Sequence, residues 1–328
     1  MLLDSLYIQN FRCFDKLQID SLGQVNLIVG KNSVGKSTLL EAVYLFAKRG
    51  RRFAIDNLLK NRNDGFNEKS DLSGLFYNRY CTALEENALV VANKDFTQGF
   101  HLTCNSWRLS QFSKEGKILE DTLQLSMFSY EQEHPCELVI TDLYNESYLA
   151  SLWDDISVNL DDKIVKDAMQ IITPNIVNIV FVQNPKVERF ERIAIVKIKE
   201  QARGVSLKSL GEGSSRVLQM FLHALKAQNG FLLIDEFENG LHYSIQEEVW
   251  TKLFKVAQEL NIQIFATTHS QDTIKSFCKV AIENTEVEGK LLSLGRSAKA
   301  SNLGQIQAVS FDEEQLKLFV DSGLEVRG

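Results

Sequence analysis

The sequence has few of the features that mark a secreted, membrane-spanning or disordered chain. It contains only 3 prolines in 328 residues, and no apolar run approaches the length of a transmembrane helix. The amino terminus lacks a basic region followed by an apolar stretch, so no signal peptide is indicated. We therefore expect a cytoplasmic protein that does not enter a membrane.

Cysteine is also scarce, and its placement argues against a disulfide framework or a zinc site. The 5 cysteines stand singly, without a Cys-x-x-Cys pair, and the 5 histidines form no zinc spacing with them. Isolated buried thiols are the simpler interpretation. The cysteines concerned are Cys13, Cys81, Cys104, Cys136 and Cys278.

The composition predicts an ordinary globular protein. Apolar residues make up 44% and charged residues 24%, so a substantial core can form and disorder is not expected. A chain of 328 residues suits one large domain or two closely packed lobes. The net charge of −7 argues against a protein that coats nucleic acid over its whole surface. A local basic groove is still compatible with this charge, so DNA is neither indicated nor excluded.

A glycine-rich loop between residues 30 and 37 has the spacing of a phosphate-binding P-loop. The apolar run Val25–Val29 before it predicts a buried strand, and residues 38–43 predict a helix, which is the context that such a loop needs. Its backbone N–H groups can converge on phosphate, Lys36 adds a positive charge, and the Ser37 hydroxyl can bind Mg²⁺. The alternative is an ordinary glycine turn. We assign the nucleotide to Gly30, Asn32, Ser33, Val34, Gly35, Lys36, Ser37 and Thr38.

An acidic pair, Asp235 and Glu236, follows the apolar strand Phe231–Ile234. One carboxylate can orient Mg²⁺ while a second polarises the attacking water, so we assign Asp235 to the metal and Glu236 to the water. An Asp-Glu turn without catalytic function is the alternative. Together with the P-loop, the pair predicts a protein that binds a nucleoside triphosphate with Mg²⁺, and it leaves a kinase, a GTPase or a transporter open.

Two short runs suggest a family. The opening Ile8-Gln9-Asn10-Phe11-Arg12 before the P-loop resembles the RecF, SMC and OLD group of ATPases, and residues 238–242, Glu-Asn-Gly-Leu-His, closely resemble OLD-like members. The resemblance implies an α/β fold: a P-loop NTPase head of the ABC type with a mixed central sheet, an antiparallel β lobe and a short helical insert. It also implies that Arg12 lies near the nucleotide; a solvated arginine on a hairpin is the alternative.

The same resemblance assigns further residues. The turn at residues 209–213 precedes a predicted helix at 216–228 and resembles the ABC signature motif, which binds the γ-phosphate of a nucleotide held by the opposite subunit. His269 follows the predicted strand Ile262–Ala266 and matches the switch histidine. The resemblance thus gives Lys36, Glu236 and His269 as catalytic residues and Ser209, Gly211, Glu212 and Gly213 as the signature contact. Asn239 and His242 become candidates for communication between subunits, and no Q-loop glutamine is placed.

The rest of the chain is expected to form one ATPase domain over residues 1–328. Within it, residues 1–60 form the P-loop part, 61–145 a β lobe, 146–200 a helical insert with return strands, and 201–328 the part that carries the signature motif and the switch. In the β lobe, short strands are expected at 89–91, 100–103, 123–127 and 138–140, with turns at 93–95 and 114–116 between them. Smaller expectations are a hairpin over residues 3–19 at the edge of the nucleotide-binding sheet, a loop at 61–73, one or two helices over 147–172, strands at 176–182 and 193–198 leading back into that sheet, two strands over 279–294, and a helix at 313–320. The basic run 48–52 is either a solvated helix end or a contact to DNA phosphate or an acidic partner.

The expected role is implied by the family resemblance, together with what the chain does not contain. No heptad pattern is sustained, which excludes the long coiled-coil arms of SMC proteins, and no Asp-x-Asp follows His269, which disfavours an OLD-type Toprim nuclease. We expect an ATPase that dimerises on ATP, as a homodimer or a higher even oligomer, and that senses or gates for a separate effector such as a nuclease. Anti-phage defence or DNA maintenance and repair are the expected settings. An OLD-type nuclease component or a non-hydrolysing scaffold are the alternatives.

Overall fold

Single strands and helices alternate in the second half of the chain, from residue 212 to residue 296, and runs of strands dominate the first half. The computed structural model describes residues 3–62, 72–80, 87–103, 108–112, 118–119, 133–158, 162–185, 191–299 and 303–322. The strands are β1 Leu6–Phe11, β2 Phe14–Ile19, β3 Val25–Gly30, β4 Leu89–Ala92, β5 Gly99–Thr103, β6 Arg108–Phe112, β7 Ile118–Leu119, β8 Cys136–Val139, β9 Ile176–Gln183, β10 Arg192–Ile198, β11 Val205–Ser206, β12 Phe231–Ile234, β13 Gln263–Thr267, β14 Gly289–Arg296 and β15 Ile306–Phe311. The helices are α1 Lys36–Ala47, α2 Arg52–Asn61, α3 Glu146–Val158, α4 Asp162–Met169, α5 Glu212–Lys226, α6 Tyr243–Glu259, α7 Gln271–Glu283 and α8 Glu313–Ser322.

The central sheet has the strand order β15-β14-β3-β13-β12-β8. Its strands β14, β3, β13, β12 and β8 pair in parallel, and β15 pairs antiparallel to β14 at one edge. The P-loop strand β3 therefore lies directly beside β13, which lies beside β12. Because the carboxyl ends of parallel strands meet at one edge of a sheet, the three segments that follow β3, β12 and β13 come together there. The expected α/β fold with a mixed central sheet is confirmed.

Two hydrophobic cores lie on the opposite faces of this sheet. Successive side chains of a strand point to opposite faces, and β3 divides accordingly: Val25, Leu27 and Val29 belong to one core and Ile28 to the other. The first core packs against α3 to α7, and the second packs against α1, α2 and the amino-terminal strands. A strand that is apolar on both faces reads as a continuous hydrophobic run, which is why β3 and β12 are readily predicted.

A second sheet, entirely antiparallel, has the order β2-β1-β4-β5-β6-β7. The predicted hairpin is present as β1 and β2, but its place at the edge of the nucleotide-binding sheet is wrong, because β1 pairs with β4 of the antiparallel sheet. The predicted strands at 89–91 and 100–103 correspond to β4 and β5. The predicted strand at 123–127, the turn at 114–116 and most of the loop at 61–73 lie outside the described residues.

Three further strand predictions need correction. Residues 138–140 were assigned to the β lobe, but β8 runs parallel to β12 in the central sheet. The strands β9 and β10 do not return to that sheet; with β11 they form a separate antiparallel sheet of order β11-β10-β9. Residues 279–294 hold the end of α7 and one strand, β14, rather than two strands. The first two errors concern which strands pair, which local patterns do not encode. The third takes the end of a helix for a strand.

The helices predicted after the β lobe and near the carboxyl terminus are present. Helices α3 and α4 occupy the segment for which one or two helices were expected, and α8 lies at the predicted carboxyl-terminal helix. The basic run 48–52 follows the end of α1, and three of its four cations are paired within the chain: Lys48 and Arg51 with Glu133, and Arg52 with Asp56. The fourth, Arg49, is buried. Among the described residues, no helix has the length and apolar character needed to cross a bilayer.

Candidate nucleotide-binding site

The P-loop joins the end of β3 to the start of α1, as the sequence predicts. Gly35 immediately precedes α1 with a φ of 93°, a conformation that side chains with a Cβ rarely adopt. A Cβ at this position would lie 2.6 Å from the Cys13 sulfur and 2.8 Å from the Phe14 ring, so only glycine fits here. The loop thus presents the amino-terminal N–H groups of α1 to the carboxyl edge of the sheet, where they can bind an anion.

Lys36 is buried at the start of α1. Its Nζ donates hydrogen bonds to the carbonyl oxygens of Gly30 at 2.8 Å and Lys31 at 3.1 Å, and it lies 3.3 Å from Nδ1 of His269. Burial lowers the pKa of Lys36, while the carboxylates of Asp235, Glu238 and Glu236 act in the opposite direction. The structure therefore brings two residues predicted to be catalytic, Lys36 and His269, into contact across the site.

Asp235 lies at the end of β12, facing the P-loop. Its carboxylate accepts hydrogen bonds from the Ser37 hydroxyl at 3.0 and 3.1 Å and from the Thr267 hydroxyl at 2.6 Å. A carboxylate and a hydroxyl are the hard oxygen donors that Mg²⁺ prefers, so the two predicted metal ligands fit that ion. The described residues contain no group of three or more His, Cys, Asp or Glu side chains suited to a metal. Mg²⁺ does not require one, since nucleotide phosphates and water complete its coordination.

Glu236 occupies the turn that follows β12. Its backbone φ is 48°, in the left-handed region, and its N–H donates to the Thr267 hydroxyl at 2.9 Å. Its carboxylate is half-buried and has no hydrogen bond or ion pair within the described part of the chain. Thr267 was not predicted from sequence, yet it fixes both acidic residues: it donates to Asp235 and accepts from Glu236. A threonine at the end of a strand gave no signal by itself.

The signature-like turn is exposed. Ser209, Gly211 and Glu212 all face solvent, and Gly211 has a φ of 93° although a Cβ there would meet nothing within 4 Å. Its glycine is therefore required by backbone conformation rather than by space. Among the described residues, this turn and Gly213 form no hydrogen bond with the P-loop. Gly213 instead packs on the segment after Glu236, where its Cβ would lie 3.0 Å from the Gly240 carbonyl oxygen.

Arg216, on the first turns of α5, is a residue that sequence reasoning did not single out. Its guanidinium is almost completely buried and donates to the carbonyl oxygens of Ile140, of Asp235 at 2.7 Å and of Glu236 at 3.1 Å. Burial lowers the pKa of Arg216 to about 10, so the group stays charged at neutral pH. These hydrogen bonds hold α5, the helix that follows the signature-like turn and is called the signature helix below, against the backbone of Asp235 and Glu236. A charged residue among the apolar positions of a buried helix was the available signal.

Arg12 is not a solvated arginine. Its side chain is buried and forms an ion pair with Glu41 of α1 at 2.8 Å, and Arg62 pairs with the same carboxylate at 2.8 Å. Arg12 also lines an open groove of about 530 Å³ together with Thr38 and Cys13. This placement next to the P-loop helix is consistent with the predicted position near a nucleotide.

The two candidates for communication between subunits lie in the exposed segment before α6. The Asn239 side chain donates to the Thr141 carbonyl oxygen at 2.6 Å. His242 precedes α6 and its ring nitrogen accepts from the Ser244 N–H, so it caps the helix. The sequence places no Q-loop glutamine, and residues 140–146 after β8 contain none. The side chain of Gln219, on α5, forms hydrogen bonds with the backbone of this segment.

These features define an ATPase head of the ABC type: the parallel order β3-β13-β12, the P-loop, the acidic pair, His269 at the predicted switch position, and the separate signature-like turn. Two family models match the chain: "AAA ATPase domain" over residues 1–176, which is more than half of the chain, and "AAA domain, putative AbiEii toxin, Type IV TA system" over residues 170–274. The chain belongs to the AAA ATPase domain family.

Comparison with individual proteins agrees with this assignment. An ATP/GTP phosphatase of Helicobacter pylori is 23% identical over 86% of this chain and 89% of its own length. The DNA replication and repair protein RecF of Lactobacillus acidophilus is 51% identical, but over 57 residues, 17% of this chain and 15% of RecF.

Solved SMC head domains share the fold. One, bound to the C-winged helix domain of ScpA, covers 97% of this chain with a TM-score of 0.55 and 12% identity, and all of that head is covered in return. Another, with an extended coiled coil and the C-terminal domain of ScpA from Pyrococcus furiosus, covers 98% of each chain with a TM-score of 0.52 and 11% identity. The predicted kinship with an ATPase of the ABC, SMC and RecF type is confirmed.

The groove beside the P-loop gives a first testable prediction, because Cys13 lines it. Of the described cysteines, Cys136 and Cys278 are buried, whereas Cys13 is half-exposed, contrary to the expectation that all thiols are buried. In a Cys81→Ser/Cys104→Ser variant, we expect one thiol per folded chain to react with an alkylating reagent. Burial raises the pKa of Cys13, so the reaction should be slow at neutral pH, since only the thiolate reacts. Saturating ATP should slow it further, by about tenfold.

The control for this labelling is Cys13→Ser in the same background, which should leave the folded protein unreactive. Mass spectrometry after proteolysis identifies the modified residue. Equal labelling rates with and without ATP, in a protein that binds ATP, would show that the groove lies outside the nucleotide site.

Proposed function

We propose that this chain is a Mg²⁺-dependent ATPase whose active site is completed by a second copy of the chain. The observation that carries the proposal is the separation of the two halves of the site. The side chains of Lys36, Asp235 and His269, with Glu236 beside them, converge at the sheet edge. The signature-like turn is exposed and, within the described residues, forms no hydrogen bond with the P-loop. In the proposed dimer, this turn would contact the phosphates held by the partner subunit's P-loop.

The described side chains suit a direct hydrolysis. ATP phosphates would bind at the N–H groups of the P-loop and at Lys36. Ser37 and Asp235 would hold Mg²⁺, which supplies positive charge that neutralises the phosphate oxygens. Glu236 would take a proton from the attacking water while the bond from the γ-phosphorus to the bridging oxygen breaks, which yields ADP and phosphate.

A split site also suggests how the chain is used. Because neither half provides all of the charge stabilisation alone, ATP would favour the dimer and hydrolysis would release it. We propose that this cycle lets the protein sense or gate for a separate effector, such as a nuclease, in prokaryotic anti-phage defence or DNA maintenance. The second matching family description mentions a toxin–antitoxin system, and the short match to RecF is to a repair protein; both support a setting of this kind. The paired charges of the basic run lend no support to DNA binding there.

The split site is tested by mixing two inactive variants. Lys36→Ala disables the P-loop, and Ser209→Arg places a bulky cation on the exposed signature turn. Each protein alone should lack ATPase activity. An equal mixture should recover up to about a quarter of wild-type activity, since half of the dimers are mixed and each has one of two sites intact.

Two outcomes decide between a shared and an internal site. If both variants are inactive alone and the mixture also stays inactive, a single chain contains the whole site. Full activity of Ser209→Arg alone would show that the signature-like turn is not part of the site. Light scattering provides the second readout: with a non-hydrolysable ATP analogue, the mass should rise from 37.3 kDa to twice that value. A mass that does not change with the analogue, despite its binding, contradicts the dimer.

A further inference from the structure

Glu238 contacts the switch histidine segment through both carboxylate oxygens. One oxygen accepts the backbone N–H of His269 at 2.8 Å, and the other accepts the Thr268 hydroxyl at 2.7 Å. Charge-assisted hydrogen bonds of this length are among the stronger ones in proteins, and two on one carboxylate fix both distance and direction. Glu238 lies outside every role assigned above.

The neighbouring contacts explain why this carboxylate matters. The turn after β12 is attached to the end of β13 by Glu236 N–H to Thr267 Oγ1 and by Phe237 N–H to the Thr267 carbonyl oxygen. Both of those hydrogen bonds are accepted by Thr267, and neither reaches His269. Within the described chain, His269 itself has two polar contacts: its ring faces Lys36, and its N–H is bound by Glu238. Glu238 therefore holds the backbone from which the His269 ring extends toward Lys36.

We infer that Glu238 is a positioning residue for ATP hydrolysis, which holds His269 over the P-loop and links it to the turn at residues 236–241. The inference rests on the function proposed above. In that dimer the turn would lie near the partner subunit, since it packs against the signature helix at Gly213, contains the exposed Asn239 and is followed by the exposed His242. Glu238 then transmits the position of this turn to the γ-phosphate end of the site.

A positioning role differs in a measurable way from a role as the catalytic base. Both oxygens of Glu238 already accept hydrogen bonds, whereas the Glu236 carboxylate has no partner in the described part of the chain. A glutamine at position 238 keeps an acceptor for the His269 N–H, and its amide can donate to the Thr268 hydroxyl after that hydroxyl rotates. Replacement of a glutamate by glutamine abolishes its function as a general base. The same replacement preserves the function of a residue that acts only through hydrogen bonds.

The experiment compares Glu238→Gln with Glu238→Ala by steady-state ATP turnover. We expect kcat of Glu238→Gln to stay within about threefold of wild type, and kcat of Glu238→Ala to fall by about 10- to 100-fold, the cost of a misplaced catalytic group. The KM for ATP should change little, because Lys36 and the P-loop are untouched. Glu248→Ala, which removes an exposed carboxylate on α6, is the matched control and should behave as wild type.

A double variant isolates the route through the histidine. If Glu238 acts through His269, Glu238→Ala should cause no further loss of kcat in a His269→Ala background. Additive losses would overturn the inference, as would a Glu238→Gln variant as inactive as Glu238→Ala, or a Glu238→Ala variant with wild-type kcat. If the wild-type protein itself shows no ATP turnover, the proposed function fails first, so the two failures are distinguishable.

Discussion

Replacement of Glu236 by glutamine is expected to lower kcat for ATP hydrolysis by about 10²–10⁴-fold, the usual contribution of a general base. Glutamine has the size of glutamate but cannot take a proton from water. The turn should keep its shape, because Glu236 is held through its backbone N–H and carbonyl, by Thr267 and Arg216, and not through its carboxylate. The variant should therefore still bind ATP.

The consequence for assembly is equally large. Because ATP closes the proposed dimer and hydrolysis opens it, a variant that binds without hydrolysing should accumulate as a dimer in ATP and Mg²⁺. Turnover is measured by phosphate release, and the dimer by light scattering under the same conditions. Glu248→Gln, an exposed carboxylate on α6, serves as the control for loss of one negative charge. Wild-type turnover by Glu236→Gln would remove Glu236 from the water-activating role.

Local patterns predicted the segments in which chemistry and structure coincide. The strand Phe231–Ile234 was predicted with its observed bounds, because it is buried on both faces and ends at the acidic pair. The P-loop was predicted because its glycines are required by backbone conformation and close packing, which leave no choice of residue at Gly35. In each case, the requirement acts on residues that are adjacent in the sequence.

The predictions that were wrong depend on contacts between distant residues. β8 carries the pattern of any short apolar strand, and its place beside β12 follows from pairing over about a hundred residues. Arg216 is a similar case, since its acceptors are Ile140, Asp235 and Glu236. The contact of Glu238 with His269 also spans a turn, a helix and a strand, so no spacing rule reveals it.

Replacement of Arg216 by methionine is expected to destabilise the protein by about 3–5 kcal/mol, because buried acceptors are left without donors. Methionine keeps most of the apolar length of the arginine side chain, so the loss isolates the hydrogen bonds to Ile140 and to the acidic pair. Lysine should not restore stability, since one ammonium cannot span acceptors that the guanidinium fork reaches together. The thermal midpoint should fall by roughly 5–15 °C.

The same substitution should reduce ATP turnover beyond the loss of folded protein. Arg216 ties the signature helix to the carbonyl oxygens of Asp235 and Glu236, so its removal lets the two halves of the proposed site move independently. Calorimetry gives the midpoint, and turnover is then compared well below it, where the variant is folded. Arg203→Met, at an exposed position before β11, is the matched control. Equal thermal midpoints for the two variants would show that the buried hydrogen bonds contribute nothing to stability. Normal turnover in a destabilised Arg216→Met would show that Arg216 acts on stability alone, because a fold can lose a few kcal/mol without moving the residues that react.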